Sequence, residues 1–379
     1  MAALTEEQSI IRDQAKAWVE EKAPVQQFRA MRDSGVPERF RPETWAEIAA
    51  LGWAGMIVPE EYGGSDLGYL TFGLVLEEMG KHLVASPLLA SGLVATSAIL
   101  LGGSEAQKKA HLPAIAKGES IATLAVDEGA RHAPAKTALS AEKSGAGFTL
   151  SGGKTFVMEG MTADLFIVAA RSSSGAPGET AGITLFLVPA SAKGLSRSPM
   201  ETFDSRGYAK LSFDGVEVPA DAVLAGVDQG WPVLDATLDR AAAGLSAEML
   251  GTAAHAFDMT LDYLKTRKQF GQVIGSFQAL GHRAATLFTG KELARSCVEA
   301  ALQALDDGAA DASELCSLAK AKMGDHLFEM SNQLIQIHGG IGMTDEFDAG
   351  LYLKRARVVE AAFGNRAFHR DRYARLLGF

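Results

Sequence analysis

The feature that most limits the fold of this chain is a change of texture along its length. Two stretches of 3.6-residue apolar periodicity enclose one stretch of short β-favouring runs. Over residues 5–118, TEEQSIIRDQAKAWVEEKA, ETWAEIAALGWAGM, LTFGLVLEEMGKHL and SEAQKKAHLPAIAKG read as helices. Thr5 before Glu6-Glu7, and Ser104 before Glu105, place a capping oxygen and negative charge at a helix's positive end. Residues 57–68, IVPEEYGGSDLG, carry Pro59 and the pair Gly63-Gly64 and read as a loop. Between 119 and 225 the runs GFTLSGGKTFVM, LFIVAARS, ITLFLVPA and KLSFDGVEV predict a small β-domain, with 172–182 as an exposed hairpin loop. From 231 onward longer helical patterns return, joined by short turns and closing with a helix pair from Asp348, as in a bundle.

The expected architecture is therefore α+β and mainly helical: an N-terminal helical domain (1–118), a middle β-barrel-like domain (119–225) and a C-terminal four-helix bundle (226–379). The Ala/Ser-rich run AAAGLSAEMLG lets helices approach closely and suggests that much of this bundle is subunit interface.

Bulk properties narrow the function class. At 379 residues the chain can bury a sizeable core, and a net charge of -10 gives an acidic surface. No basic block or zinc spacing appears, so a nucleic-acid partner is excluded. The start MAALTEEQSIIRDQAKAW lacks the basic and apolar regions of a secretory signal. SPLLASGLVATSAILLGG is too rich in Ser, Ala and Gly to span a bilayer, which takes about 20 strongly apolar residues, and reads as a buried helix. Cys297 and Cys316 have no ligand or redox spacing, so a cytosolic, disulfide-free protein is expected.

Two turns in the second helical region carry chemistry. In TRKQFGQVIGSFQALGHRAA, Arg267 and Phe270-Gly271 end one helix, and Ser276, Phe277 and Gln278 open the next. Open helix-start N–H groups, a forked cation and a flat ring suit a pyrophosphate with an aromatic ring attached, although an Arg in a last turn also complements the helix dipole. In QIHGGIGMTDEF, Gln336 precedes Gly339, Gly340 and Gly342, which either admit a ligand close to the backbone or simply terminate a helix.

Taken together, PEEYGG with EEMGK, GSEAQKKAHLPAIAKGE, LSGGKTFVMEGMTADLFIVAAR, R-x-x-FGQ-x-I-x-x-FQ and QIHGGIGMT resemble the acyl-CoA dehydrogenase family over nearly the whole chain. The resemblance implies noncovalent FAD, an acyl-CoA substrate, a homo- or hetero-oligomer and an electron-transfer flavoprotein as electron acceptor. It places Arg267, Phe270 and Gln278 near the pyrophosphate and adenine side, and Gln336, Gly339 and Gly340 near the adenosine end. Phe156, Val157 and Met158 fall beside the isoalloxazine, with Met158 where a ring-contacting Thr is usual. Asn365 likewise stands where a flavin-contacting Thr is usual. The loop that usually reads T-E-P-x-A-G-S-D is VDEGARHAP, residues 126–134, which is either a ligand contact or a remodelled surface loop.

The family reaction is α,β-dehydrogenation of a thioester, which needs a carboxylate to take the Cα proton. The late-helix position where many members carry that Glu is Phe363, in VVEAAFGNRAF. Some relatives place the base on an earlier helix just before an Arg, which implies Asp239 before Arg240 as the catalytic pair. Asp is shorter than Glu by about 1.5 Å. The competing reading makes Asp239 a first-turn helix charge, with Asp235 as the cap. Glu360 ranks below Asp239; Glu159 reads as a turn or solvent residue, and His282 and His338 as packing or interhelical hydrogen-bonding groups. Relatives with the base on the earlier helix often take branched, long or ring-bearing acyl groups. A subunit with an incomplete site in a hetero-oligomer is the alternative, and a flavin oxidase or monooxygenase on the same fold a minor one.

Overall fold

The computed structural model describes residues 4–173, 175 and 178–379. Residues 174, 176 and 177, at the tip of the expected 172–182 hairpin loop, lie outside the described residues.

The N-terminal part is helical: α1 Glu6–Lys22, α2 Val25–Ser34, α3 Pro42–Ala50, α4 Gly68–Lys81, α5 Thr96–Gly102 and α6 Glu105–Ala116. The expected caps form in full. Thr5 and Ser104 each accept from the N3 backbone, while Gln8 and Gln107 reach back to the cap residue's own N–H. Helix α2 was not anticipated. The apolar run 86–103 is a buried π-helical segment, Leu88–Ala95, running into α5. In the loop 57–68 Gly64 has no substitute, because a Cβ there would lie 2.0 Å from the Val58 carbonyl oxygen.

Among its described residues the middle part holds eight strands: β1 Ala122–Ala125, β2 Ser140–Ser144, β3 Gly147–Met158, β4 Leu165–Arg171, β5 Ile183–Pro189, β6 Leu195–Met200, β7 Tyr208–Pro219 and β8 Val223–Leu224. They form one sheet in the order β6-β7-β3-β2-β4-β5-β8, with β1 parallel to β4. Strands β4 and β5 pair antiparallel from Arg171↔Ile183 to Leu165↔Pro189, and both are buried along nearly their whole length.

The C-terminal part contains α7 Gly230–Thr266, a two-stranded ribbon of β9 Lys268–Gln269 and β10 Gln272–Val273, then α8 Gln278–Asp306, α9 Ala312–His338, α10 Ala349–Ala361 and α11 Arg366–Leu376. No helix among the described residues is long and apolar enough to cross a membrane. Neither Cys297 nor Cys316 is in a disulfide.

The described chain divides into two compact units. One comprises residues up to Ala30, Tyr69–Val84 and Ala242–Phe379; the other comprises Met31–Gly68 and Ala85–Ala241. Within the first, α4 and α7 touch backbone to backbone. A Cβ on Gly251 would lie 1.8 Å from Glu77 O, and one on Gly80 would lie 2.1 Å from Glu248 O. This corrects the interface expectation for AAAGLSAEMLG, whose residues from Ala242 to Gly251 are buried within the chain itself. The small side chains serve an internal helix crossing. Two ion pairs brace the same unit: Glu77 with Arg295, at 2.7 Å, and Glu248 with Arg355, at 2.6 Å.

Candidate active site

The two chemically marked turns meet in the first unit. Leu264, Ile274 and Ile337 form a small core with Tyr263, Phe277, Leu280 and Ala284 packed on it. The Tyr263 and His338 rings lie 4.3 Å apart, and the Tyr263 hydroxyl donates to His338 O at 3.4 Å. These contacts hold the Arg267–Gln278 segment beside the Gln336–Gly342 turn. Helix α7 stops at Thr266, and Phe270-Gly271 form the tip of the β9–β10 ribbon, with φ of +54° and +79°. Positive φ at both central residues is what a tight hairpin turn of the primed type requires. The ribbon presents Phe270 to solvent, 89% exposed, with its ring edge-on to Phe277.

Arg267, Gln278, Gln336, Gly339 and Gly340 are exposed alongside. Helix α8 begins at Gln278 without a side-chain cap, which leaves its first N–H groups open. No atom stands within 4 Å of where a Cβ would project from Gly339 or Gly340. Cation, ring, open amides and bare backbone therefore suit an anionic pyrophosphate carrying an aromatic base, and this part of the chain fits the nucleotide end of FAD. His338 is a packing residue: its Nδ1 is 2.7 Å from Leu334 O, and burial lowers its pKa. His282, expected in packing, is instead exposed on α8.

In the second unit Phe156 sits on a β-bulge. Lys154 pairs with Leu211 and Val157 with Ala209, so Thr155 and Phe156 oppose the single residue Lys210. Phe156 takes φ +55° and stacks on Tyr208, with centroids 4.4 Å apart and planes 16° from parallel. Two residues on, Met158 is half-buried and its carbonyl accepts from Thr123 Oγ1 at 2.6 Å. Glu159 does occupy a turn, at φ +54°, but it is buried rather than solvent-facing because its N–H is tied to Gly207 O at 2.7 Å.

The 126–134 loop is held by its own acidic residues. Asp127 contacts His132 at 3.0 Å, and Glu128 accepts from the N–H groups of Ala138 and Leu139 and from Lys154 Nζ, the last at 2.7 Å. Lys154 is fully enclosed, and burial lowers its pKa against the pull of Glu128. Glu128, Gly129 and Ala130 form one wall of an open cavity of about 880 Å³ whose other walls include Thr155, Met200 and Lys210.

Asp239 is 5% exposed and lies well inside α7, which starts at Gly230 and has no acidic residue in its first turn. Both Asp235 and Asp239 therefore lie beyond the first turn of α7, which does not fit the helix-start reading of Asp239 or the cap reading of Asp235. Arg240 donates from Nη1 to Ala236 O at 2.8 Å, one turn back.

The stretch 358–368 in the first unit is a helix end tied from several sides. Phe363 has φ +53° and Gly364 +97°, and a Cβ on Gly364 would lie 2.5 Å from the Phe368 ring. Lys320 Nζ donates to the carbonyls of Val359, Glu360 and Gly364, the last at 2.8 Å, and the His369 imidazole lies 2.8 Å from Phe363 O. Burial pushes the Lys320 amine down to about 7, with Glu360 opposing. Asn365 caps α11 through its Oδ1, and the Glu360 carboxylate is 3.4 Å from Arg366. Lys320, Met200 and Tyr208 carry no signal in the sequence, because each acts through a contact made only by folding.

Comparison with known proteins finds related sequences and folds. The family "Acyl-CoA dehydrogenase, N-terminal domain" matches residues 5–119, the middle domain 125–216 and the C-terminal domain 228–378. The probable acyl-CoA dehydrogenase YngJ of Bacillus subtilis is 30% identical over 99% of this chain and 98% of its own length. Mitochondrial isovaleryl-CoA dehydrogenase of Pongo abelii is 32% identical over 86% of this chain and 79% of its own. Among solved structures, a variant of the steroid ACAD Tcur3481-Tcur3483 superposes with a TM-score of 0.88 at 30% identity, covering 98% of each chain.

Proposed function

This chain belongs to the acyl-CoA dehydrogenase family, and we propose that it oxidises an acyl-CoA thioester at Cα and Cβ with FAD as cofactor and Asp239 as the base. The observation that carries the choice of base is the burial of Asp239 in the interior of α7, away from the helix start. The late-helix position offers only the Phe363 ring, which cannot accept a proton. Arg267, Phe270, Gln278, Gln336, Gly339 and Gly340 would hold the nucleotide end of FAD, and Phe156 and Met158 would flank its ring system. When bound, FAD supplies the hydride acceptor at its N5. Asp239 takes the proton from Cα, and its burial keeps water from competing for that proton. Arg240 is anchored one turn back and steadies the helix segment that carries the base.

Phe363 adds apolar bulk where a carboxylate is common, which favours a branched or ring-bearing acyl group. The isovaleryl-CoA and steroid relatives support that substrate class. Exposed Phe270, Phe288, Leu293 and Met343, all in one unit, support an oligomer in which another subunit covers them. A second reading, a half-site subunit that works only with a sister chain, is favoured by Phe363 and Met158 standing where the family's Glu and Thr are usual.

Anaerobic mixing of the purified protein with branched-chain and ring-bearing acyl-CoAs tests the proposal. Wild type should bleach, and Asp239→Asn should bind flavin normally yet bleach at least about 10²-fold more slowly. Normal bleaching by Asp239→Asn removes this residue from the base role. A colourless protein that gains flavin only with a sister subunit replaces the first reading with the second.

A further inference from the structure

The two bulged residues of β3 have lost their ladder partners, and the fate of their N–H groups is informative. Thr155 N–H donates to Asp127 O at 2.7 Å, an ordinary backbone bond. Phe156 N–H donates to the Met200 sulfur at 3.2 Å, and the Thr155 hydroxyl lies 3.4 Å from the same atom. Met200 closes β6, paired with Tyr208 of β7, which in turn pairs with Met158 of β3. Its side chain thus spans the intervening strand to reach the bulge. A thioether is a weak acceptor, yet here it accepts from an amide that the bulge has removed from the sheet.

We infer that Met200 is a positioning residue for the flavin-side aromatic: its sulfur fixes the Thr155–Phe156 bulge and so sets the plane in which Phe156 lies. This rests on the reading that Phe156 flanks the flavin. Three constraints converge on one residue: a left-handed backbone at φ +55°, the Tyr208 ring stacked on one face, and the sulfur on the N–H. Left-handed backbone is costly for a bulky aromatic residue and persists only where its surroundings enforce it. The first constraint therefore depends on the other two. Met200 and Thr155 also line the 880 Å³ cavity, so an amide released from the sulfur has water within reach.

The test is hydrogen exchange at the Phe156 amide in the full-length protein, for wild type, Met200→Leu and Met200→Gln, together with the flavin absorption spectrum of each. Leucine keeps the apolar bulk and removes the acceptor; glutamine restores one. Losing this part-buried hydrogen-bond acceptor should speed exchange in Met200→Leu by about 2- to 10-fold, with protection restored in Met200→Gln. The flavin bands should shift in the Leu variant and return in the Gln variant, which a general packing defect would not produce. Unchanged exchange in Met200→Leu overturns the inference. So does a spectrum that responds to Phe156→Ala but not to Met200→Leu. If Phe156→Ala itself leaves the spectrum unchanged, the placement of Phe156 at the flavin fails instead, and the positioning role falls with it.

Discussion

The pair Glu248–Arg355 allows a sharp prediction about what holds the helical unit together. Arg355 donates to Glu248 Oε1 from Nε at 3.0 Å and from Nη2 at 2.6 Å, and the side chains are only 6% and 9% exposed for Arg355 and Glu248. Two charges this deep have given up most of their hydration, so each depends on the other. Replacing Arg355 by Met retains the apolar stem but strands a carboxylate beside the α4–α7 crossing. The expected loss is about 3–5 kcal/mol. For 379 residues, with an unfolding entropy of about 0.8 kcal/mol/K, that corresponds to a fall in Tm of about 4–6 °C. The informative comparison is Glu248→Leu combined with Arg355→Met. Removing both charges abolishes the stranded carboxylate, so the double variant should recover most of the lost stability in urea unfolding followed by far-UV circular dichroism. If it is no more stable than Arg355→Met, the cost lies in lost packing and the electrostatic account is refuted.

Other perturbations probe separate contacts. Gly251→Ala would drive a methyl group to 1.8 Å from Glu77 O, a backbone atom that cannot swing aside, so soluble yield and Tm should collapse. Gly290→Ala places its methyl 2.8 Å from His326 Nδ1 and should cost about 1–3 kcal/mol in urea unfolding, since an imidazole can shift. Burial, with Lys291 and Lys322 nearby, lowers the His326 pKa from 6.5 to about 4. The folded state therefore binds this proton more weakly than the unfolded chain; the stability it protects is complete above pH 6.5 and is lost as pH falls towards 4. The loss amounts to about 3 kcal/mol, and His326→Leu should flatten that part of the stability–pH curve. An unchanged slope would show that His326 does not titrate in this range.

Much of this fold is legible in the sequence because its signals are local. The capping boxes at Thr5 and Ser104 need only four residues each, and both form as expected. The Gly-rich turns and the R-x-x-FGQ segment are also local, and the shared core of Leu264, Ile274 and Ile337 shows why they belong together. What the sequence withholds is of another kind. Asp239 looks like a helix-start charge while the start of α7 is unknown, and becomes a buried interior carboxylate once Gly230 is fixed as the first residue. AAAGLSAEMLG shows that something packs closely but not what, and the partner proves to be α4 of the same chain.

The backbone of Phe156, Phe270 and Phe363 is hidden more deeply. All three take φ between +53° and +55°, a conformation that local propensity assigns to Gly or Asn and seldom to a bulky aromatic residue. Each is enforced by something distant or by its own turn: the Met200 sulfur and Tyr208 ring for Phe156, the β9–β10 ribbon for Phe270, and the Lys320 and His369 side chains around Phe363 and Gly364. These residues fall at three places where the family resemblance puts cofactor or substrate. Phe156 and Phe363 are thus held in left-handed backbone by side chains distant in sequence, a tertiary constraint that local propensity does not announce. The turn at Phe363 makes the point most directly. A simple helix end would need only Gly364, whereas this one places an aromatic ring in left-handed backbone and secures the turn with the buried Lys320 amine on three carbonyls.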